Sequence, residues 1–503
     1  MKVTFVYPDL YTQFHDWPGS FYVGIASLSA VLKREGIETS IIHITHLISK
    51  SEFIKRIEDE DPDLIGFSST SHGFSVIKKL ASWLVEAKVR ILKIYGGVHP
   101  TIAPEESIEI NGIDMICQGE GEGPLVELCH RMSNKEDIND IQNLWIRAQG
   151  TVIRNPLRPL IEDLDQLPFP DRSIFSYPDL LDERDGLAVF MASRGCPYNC
   201  TYCCNHLFRK IYGNKGSPVR FRSVDHLIEE IKQVLGKYSF ITGLIFHDDI
   251  LFFNKKWSEE FAEKYSMQIR LPFVCNARAD VTDESVIRLL KKAGCSHVKF
   301  GLESGNEAIR FNVLNRRITD GQIKKAFAGC KKAGLNTISF NMVGLPYETP
   351  GAILDTIKLN AAIGVDLMQI SVFQPYQGTQ IADLCQKQHF LDSKDLGPDF
   401  FSSSILKLGT VSSSQIFMFR DYIPVFVRYY QLLQKFPLGI SKVAIAFSDK
   451  ILSFKLTSRI LTLIFLPVNY VNRRLLVMRG KAKRALRKAN LIRPVERLFP
   501  KRV

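Results

Sequence analysis

The sequence predicts an α/β protein built in two βα-repeat parts. An N-terminal doubly wound, Rossmann-like sheet comes first, then a partial (βα)6 barrel, and a helical, basic C-terminal region follows. Three observations predict this. Apolar strand-like runs alternate with helical runs over residues 1–400, the pattern of parallel sheets covered on both faces. Glycines and small polar residues collect at the C-terminal ends of these runs, the edge where α/β sheets bind ligands. Four of the ten cysteines fall within "RGCPYNCTYCC" (194–204), directly after the first strand of the second part. With 503 residues, 45% of them hydrophobic, the chain is long enough for several cores.

Taken in order, "KVTFVYP" (2–8) is a buried strand, "YVGIASLSAVLKREG" (22–36) a helix ending on Gly36, and "ETSIIHI" (38–44) the next strand. A helix follows around 51–59, then strands at "DLIGFSS" (63–69) and "RILKIYGG" (90–97) with helical sequence between them. Ser68, Ser69, Gly96, Gly97, Gly119 and Glu120, the last two in "QGEGEG", lie at one sheet edge. Any one of these glycines is explained by turn chemistry, but their repetition at one edge predicts a ligand pocket. The first domain is expected over 1–145 and a proline-marked, ordered connector over 146–184.

The second part, 185–400, offers six strands: 187–193, 242–248, 272–278, 297–303, 337–344 and 367–375. Six βα units make a partial barrel where a complete one has eight. Chemistry in such barrels sits at the C-terminal strand ends, where Asp248 and Asp249 end the second strand and Arg278 the third. For Asp248 a helix cap, and for Arg278 an ion pair with Asp280, are the structural alternatives. Beyond 400 the alternation stops, and "DYIPVFVRYYQLLQKF" and "KILSFKLTSRILTLIFLPV" read as amphipathic helices within a C-terminal region, 401–503.

The net charge of +12 is concentrated at one end: from Val471 onward there are twelve Lys/Arg and one acid, Glu496, which leaves about +1 for the rest. Cys117, Cys129, Cys275, Cys295, Cys330 and Cys385 stand singly in apolar runs, as buried reduced thiols do. With a strand at the start and no leader, this predicts a reducing cytoplasm. No window supplies the roughly 18 uninterrupted apolar residues of a spanning helix.

Three chemistries compete for Cys196, Cys200 and Cys203. Structural zinc needs four closed ligands, usually two separated pairs, and no second pair follows here. A redox pair is present as "CTYC", but with a third cysteine close by. An iron–sulfur cubane held by three thiolates leaves one iron open to a substrate or cofactor.

"CPYNCTYC" resembles the Cys-x3-Cys-x-aromatic-Cys signature of radical S-adenosylmethionine (SAM) enzymes. The resemblance implies that Cys196, Cys200 and Cys203 hold a 4Fe-4S cluster whose open iron chelates SAM, and that Tyr202 lies near the adenine. Cys204 has no role in that family and reads as a packing thiol. "GLESG" (301–305) and "FNMVGLPYET" (340–349) match the family's fourth- and fifth-strand stretches, implying SAM contacts at Glu303, Ser304 and Gly344; Asp248 and Arg278 join them at neighbouring strand ends. The order of a doubly wound domain before such a barrel is similar to the cobalamin-binding radical SAM enzymes, through "FYVGIASLSAVLKREG", "PDLIGFSS", "YGGVHPTIAPEE", "ICQGEGEGPL" and "LDQLPFPDRS". It covers roughly 1–400 and implies a cobalamin pocket at Ser68, Ser69, Gly96, Gly97, Gly119 and Glu120. The Asp-x-His-x-x-Gly cobalt-ligand motif is absent; His99 follows a Gly-Gly turn without the Asp.

The resemblance further implies one-electron cleavage of SAM, an external electron donor such as a flavodoxin or ferredoxin, and methylation or other C–C bond formation at an unactivated carbon. The tail mixes apolar residues with dense Lys/Arg, as interfacial membrane helices do. This predicts a lipid or lipid-linked substrate and a cytoplasmic enzyme peripheral on the anionic inner membrane face. Nucleic acid is the rival for a basic tail, but RNA-methylthiolating relatives carry extra N-terminal cluster cysteines and none precedes Cys117. Two alternatives stand beside this reading: an RNA- or natural-product-modifying radical SAM enzyme without cobalamin, and a non-catalytic iron–sulfur redox protein, which predicts a fully ligated cluster and no SAM pocket.

Overall fold

The computed structural model describes residues 1–10, 17–391, 404–458 and 460–461. Its first sheet contains β1 (Lys2–Pro8), β2 (Glu38–Ile44), β3 (Leu64–Ser68), β4 (Leu92–Gly96), β5 (Met115–Cys117), β6 (Leu144–Ala148) and β7 (Thr151–Arg154), in the order β2-β1-β3-β4-β5-β6-β7. The first five are parallel, and β6 and β7 add an antiparallel edge. The boundary expected at 145 therefore cuts β6, and the sheet runs on to Arg154. That hairpin was missed because its polar–apolar alternation belongs to a half-exposed edge rather than to the buried parallel strands before it.

Helices Val23–Arg34 and Glu122–Asn134 pack together on one side of the sheet, and Lys50–Glu60 and Phe74–Glu86 on the other. The strand order reverses between β1 and β3, which opens a crevice at their C-terminal ends.

The connector is ordered through short turns of 3-10 helix. It leads into β8 (Leu187–Phe190), then β9 (Ser193–Arg194) paired antiparallel with β10 (Arg220–Phe221). β8 is joined by β11 (Gly243–Phe246), β12 (Phe273–Ala277), β13 (Cys295–Glu303), β14 (Asn336–Val343) and β15 (Leu367–Val372) in one parallel six-stranded sheet, β8-β11-β12-β13-β14-β15. The expected partial barrel of six βα units is present.

One apolar core runs through both parts: Val3, Phe21 and Leu128 of the first join Phe175 and Tyr177 of the connector and Ala188, Leu244 and Val298 of the barrel. The six isolated cysteines are free and buried, as expected. After the barrel, helices Ser413–Leu433 and Leu438–Ser453 pack on helix Pro350–Ile363. The first C-terminal helix thus starts and ends earlier than the sequence reading placed it, and the second starts earlier, while the end read at 468 lies outside the described residues. The cationic segment from Val471 and most of 460–468 lie outside the described residues. No helix among those described is long and apolar enough to cross a membrane.

Candidate active site

The cysteine loop starts where β9 ends. Gly195 has φ of +91°, and a Cβ there would stand 1.9 Å from the Pro218 carbonyl oxygen, so only glycine turns the chain into the loop. The loop is held at both ends of its run. Thr201 donates through its amide to the Leu314 oxygen (3.1 Å) and through its hydroxyl to the Val313 oxygen (2.7 Å), while Asn315 Nδ2 donates to the Asn199 oxygen (2.9 Å). Cys203 closes a turn on the Cys200 carbonyl (3.2 Å) and immediately precedes helix Cys204–Tyr212.

Cys200 is buried, with two guanidinium groups beside its sulfur: Arg278 Nη1 and Arg316 Nη1, each 3.8 Å from Sγ. Cys196 and Cys203 are half-buried. Burial pushes the Cys196 thiol up to about 11, whereas the hydrogen bond with Cys204 draws Cys203 down to about 7.

Two of the strand-end candidates, Arg278 and Glu303, lie beside Cys200 and Tyr202. Arg316 donates to the Gly301 carbonyl (2.6 and 3.1 Å) and reaches the Tyr202 hydroxyl at 3.4 Å. Glu303 ends β13 at φ of +64°, where the register against β14 shifts. A left-handed, non-glycine residue at a strand end is strain of the kind that functional sites hold. Desolvation raises its carboxyl and that of the neighbouring Tyr202 phenol. Arg278 is buried, sits 3.5 Å over the Tyr198 ring and pairs with Asp280 at 2.9 Å. The ion pair with Asp280, the structural alternative for Arg278, is present and lies beside Cys200. Gly344, at φ of +81°, turns the chain after β14, and its amide donates to Glu348 Oε2 at 2.7 Å.

Two further candidates are fully buried in bonds to the backbone. Asp248 is 0% exposed, and its oxygens accept the Ala192 amide (3.0 and 3.1 Å) and the Ser193 hydroxyl. These bonds fix the approach to the cysteine loop. Ser304 is also 0% exposed, and its hydroxyl accepts the Asn306 amide at 3.2 Å.

On the other side of the loop lies a cavity of about 570 Å³, walled by both domains. The first domain supplies Ser68, Gly96, Gly97, Thr101, Gly119, Glu120 and Glu122, and the barrel supplies Arg194, Cys196, Cys204, Asn205, Tyr212 and Asp249. Ser69 is not on this wall; it is buried, with its hydroxyl 2.8 Å from the Tyr95 hydroxyl. His99 is likewise withdrawn, bonded to Ser71 and 3.0 Å from Glu106. Glu120 and Glu122 are held by cations of the second domain: Arg194 reaches Glu120 at 2.8 Å and Glu122 at 2.5 Å, and Arg220 reaches Glu120 at 2.9 Å. Cys204, read as a packing thiol, is a cavity-wall residue.

The sequence reading missed Arg194, Tyr198, Arg316 and Tyr212. Arg316 carried one signal, its place in "NRR" soon after the "GLESG" strand end; the others become visible only when distant segments meet.

The residues present fit the implied groups. No three His, Cys, Asp or Glu side chains among those described converge on a single-ion site. Three thiolates that each bind a different iron of a four-iron cluster stand wider apart than the ligands of one ion. Two arginines at Cys200 suit a thiolate-rich, anionic group. The interdomain cavity is lined by nine glycines, which keeps its walls clear for a large flat ring.

Comparison with known proteins agrees with this geometry. Residues 191–359 match the Radical SAM superfamily and residues 21–129 the B12 binding domain. An uncharacterized methyltransferase of Pyrococcus horikoshii is 27% identical over 410 residues, covering 81% of this chain and 88% of that protein. The anaerobic magnesium-protoporphyrin IX monomethyl ester cyclase of Rubrivivax gelatinosus is 24% identical over 394 residues, covering 75% and 68%. Among solved structures, the radical SAM methyltransferase TsrM of Kitasatospora setae, with cobalamin and a 4Fe-4S cluster bound, superposes with a TM-score of 0.63 at 16% identity, covering 77% of this chain and 75% of that one. At that identity the likeness is one of fold.

Proposed function

We propose, from the premise that this chain is a radical SAM protein with an N-terminal B12 binding domain, that it is a cobalamin-dependent methyltransferase. Its target is an unactivated carbon of an apolar, lipid or lipid-linked substrate. The observation that carries the reading is the shared cavity: Cys196 and Cys204 of the cysteine loop and the glycine edge of the first sheet open on one space. An arrangement that brings two cofactors to a common volume suits transfer between them.

In this reading Cys196, Cys200 and Cys203 hold the cluster, and Arg278 and Arg316 offset the negative charge gathered at Cys200. Tyr202, Glu303 and the turn at Gly344 orient SAM. Ser68, Gly96, Gly97 and Gly119 cradle the corrin, while Glu120, bound by Arg194 and Arg220, fixes the cradle against the barrel. Bound there, the cofactors supply reductive SAM cleavage and carriage of the methyl group. The protein contributes position and exclusion of water: Phe5, Phe67, Ile94 and Phe208 line the cavity and keep it dry. The required electron comes from a small donor such as a flavodoxin or ferredoxin. The apolar substrate class is supported by the exposed apolar C-terminal helices treated below. Ring closure by C–C bond formation is the second reading, favoured by the similarity to a relative named as a cyclase.

Anaerobic reconstitution with iron, sulfide and hydroxocobalamin tests this, followed by metal and corrin quantitation and reduction with SAM. Bound corrin with formation of both 5′-deoxyadenosine and S-adenosylhomocysteine is the expected result. 5′-Deoxyadenosine alone with corrin bound would favour ring closure, and failure to hold a cluster would overturn the proposal.

A further inference from the structure

The densest run of exposed apolar side chains among the described residues lies far along the chain from the residues that line the cavity. Among the described residues, nineteen large apolar side chains are strongly exposed, and twelve of them fall between Val425 and Ile460. Scattered single residues of this kind are ordinary, but a contiguous patch marks an interaction site. The turn joining the two C-terminal helices and the first turn of the second present Phe436, Leu438 and Ile440 at 52, 77 and 60% exposure, between the exposed Lys435 and Lys442. Along helix Leu438–Ser453, Val443, Phe447 and Ile451 continue the stripe at intervals of four residues, one face of a helix.

The helices carrying this face are firmly docked. Phe419, Ile423 and Tyr430 are buried in the core they share with helix Pro350–Ile363. Tyr430 Oη donates to Asp449 Oδ1 at 2.5 Å, Lys358 Nζ donates to Asp449 Oδ2 at 3.0 Å, and Gln415 Nε2 donates to the Ser453 carbonyl at 2.9 Å. The outward stripe is therefore a property of a fixed element and not of a frayed end.

Charge selects the occupant. Between residues 422 and 461 the sequence has six Lys/Arg and one acid, Asp449, which Lys358 and Tyr430 already engage. The segment from Val471 adds twelve more basic residues and one acid. A second copy of the chain would bring like charges together. A surface that is apolar at the centre and anionic around it satisfies both features, and an anionic phospholipid bilayer is such a surface.

We propose that the outer face of helices Ser413–Leu433 and Leu438–Ser453, with the Phe436–Ile440 tip, is a membrane-docking surface that seats the protein on an anionic bilayer. The proposal deepens the lipid-substrate reading, and vesicle binding is measured without turnover, so either can fail alone. Docking is interfacial, with Phe436, Leu438 and Ile440 entering the headgroup region and Lys435 and Lys442 meeting phosphates.

The test is co-sedimentation of the full chain with sucrose-loaded vesicles of phosphatidylcholine, with and without phosphatidylglycerol. Hydrogen exchange of residues 434–451 is followed in parallel. Binding is expected to anionic vesicles only, to fall as salt is raised, and to protect 434–451. The double variant Leu438→Asp/Phe447→Asp changes only exposed positions and should bind at least tenfold more weakly while keeping its thermal transition. Lys435→Gln/Lys442→Gln should weaken binding less and reduce its salt dependence. Absence of binding by the parent chain would overturn the proposal, as would unchanged binding by the Asp variant. A parent dimer that the Asp substitutions dissociate, without vesicle binding, would assign the face to self-association instead.

Discussion

Single residues divide the cysteine loop into parts with different duties. Cys200, buried between two guanidinium groups, is the thiol least able to be replaced. Cys200→Ala should lose most bound iron after anaerobic reconstitution, whereas Cys204→Ser should retain it, as read by iron content and visible absorbance. A Cys204→Ser protein without iron would make the fourth cysteine a ligand. Glu348 permits a second test. It is 0% exposed, its Oε2 accepts the Gly344 and Leu345 amides, and burial pushes its carboxyl up to about 8. A raised carboxyl stabilises the fold fully only below its unfolded value, and this contribution is lost as pH rises from about 4.3 towards about 8. Glu348→Gln removes that dependence, so the variant should gain on the parent by about 1 kcal/mol per pH unit in this window and by no more above it. Parallel denaturant unfolding across the range checks this, and parallel profiles for the two proteins would contradict it. Little of this residue-level detail was legible beforehand. The cysteine spacing announced itself, but the hold of Asp248 on the Ala192 amide and the Ser193 hydroxyl depends on a segment 56 and 55 residues away.

At the scale of elements, the sequence served well where a strand is buried on both faces and poorly where it is not. β1 and β2 fall at the predicted residues and the barrel strands within a few, because continuous apolar runs bounded by glycine and charge have few other readings. The antiparallel β6–β7 edge and the start of helix Ser413–Leu433 carry weaker signals, so the first was missed and the second displaced. The contact between β9 and the first domain was invisible, since it depends on Arg194 meeting two carboxylates more than seventy residues earlier. Arg194 is 26% exposed and Glu122 8% exposed, so its removal strands the largely buried Glu122, while Arg220 still holds Glu120. Arg194→Met should cost about 3 kcal/mol and raise hydrogen exchange in β9 and β10. Unchanged exchange there would show that the clamp does not hold the cysteine loop.

For the whole molecule, the continuous core from Val3 to Val298 predicts that the two domains melt together. Calorimetry should record one transition for residues up to the end of the barrel, and two well-separated transitions would contradict it. The segment between the domains explains why. Its backbone bonds alternate between the two sides: Asn143 donates to the Pro156 carbonyl (3.0 Å), Leu160 to Lys215 (2.8 Å), and Asp171 to Ala26 (2.9 Å), while Arg172 pairs with Glu230 at 2.7 Å. The stretch is thus a seam stitched into both halves rather than a tether. Modular exchange inherits this constraint: a chimera that takes its corrin-side half from a relative must bring the stitching with it, or graft every partner that the stitching meets. Substrate scope in such a scaffold is then more readily altered at the rim and in the C-terminal helices than by trading domains.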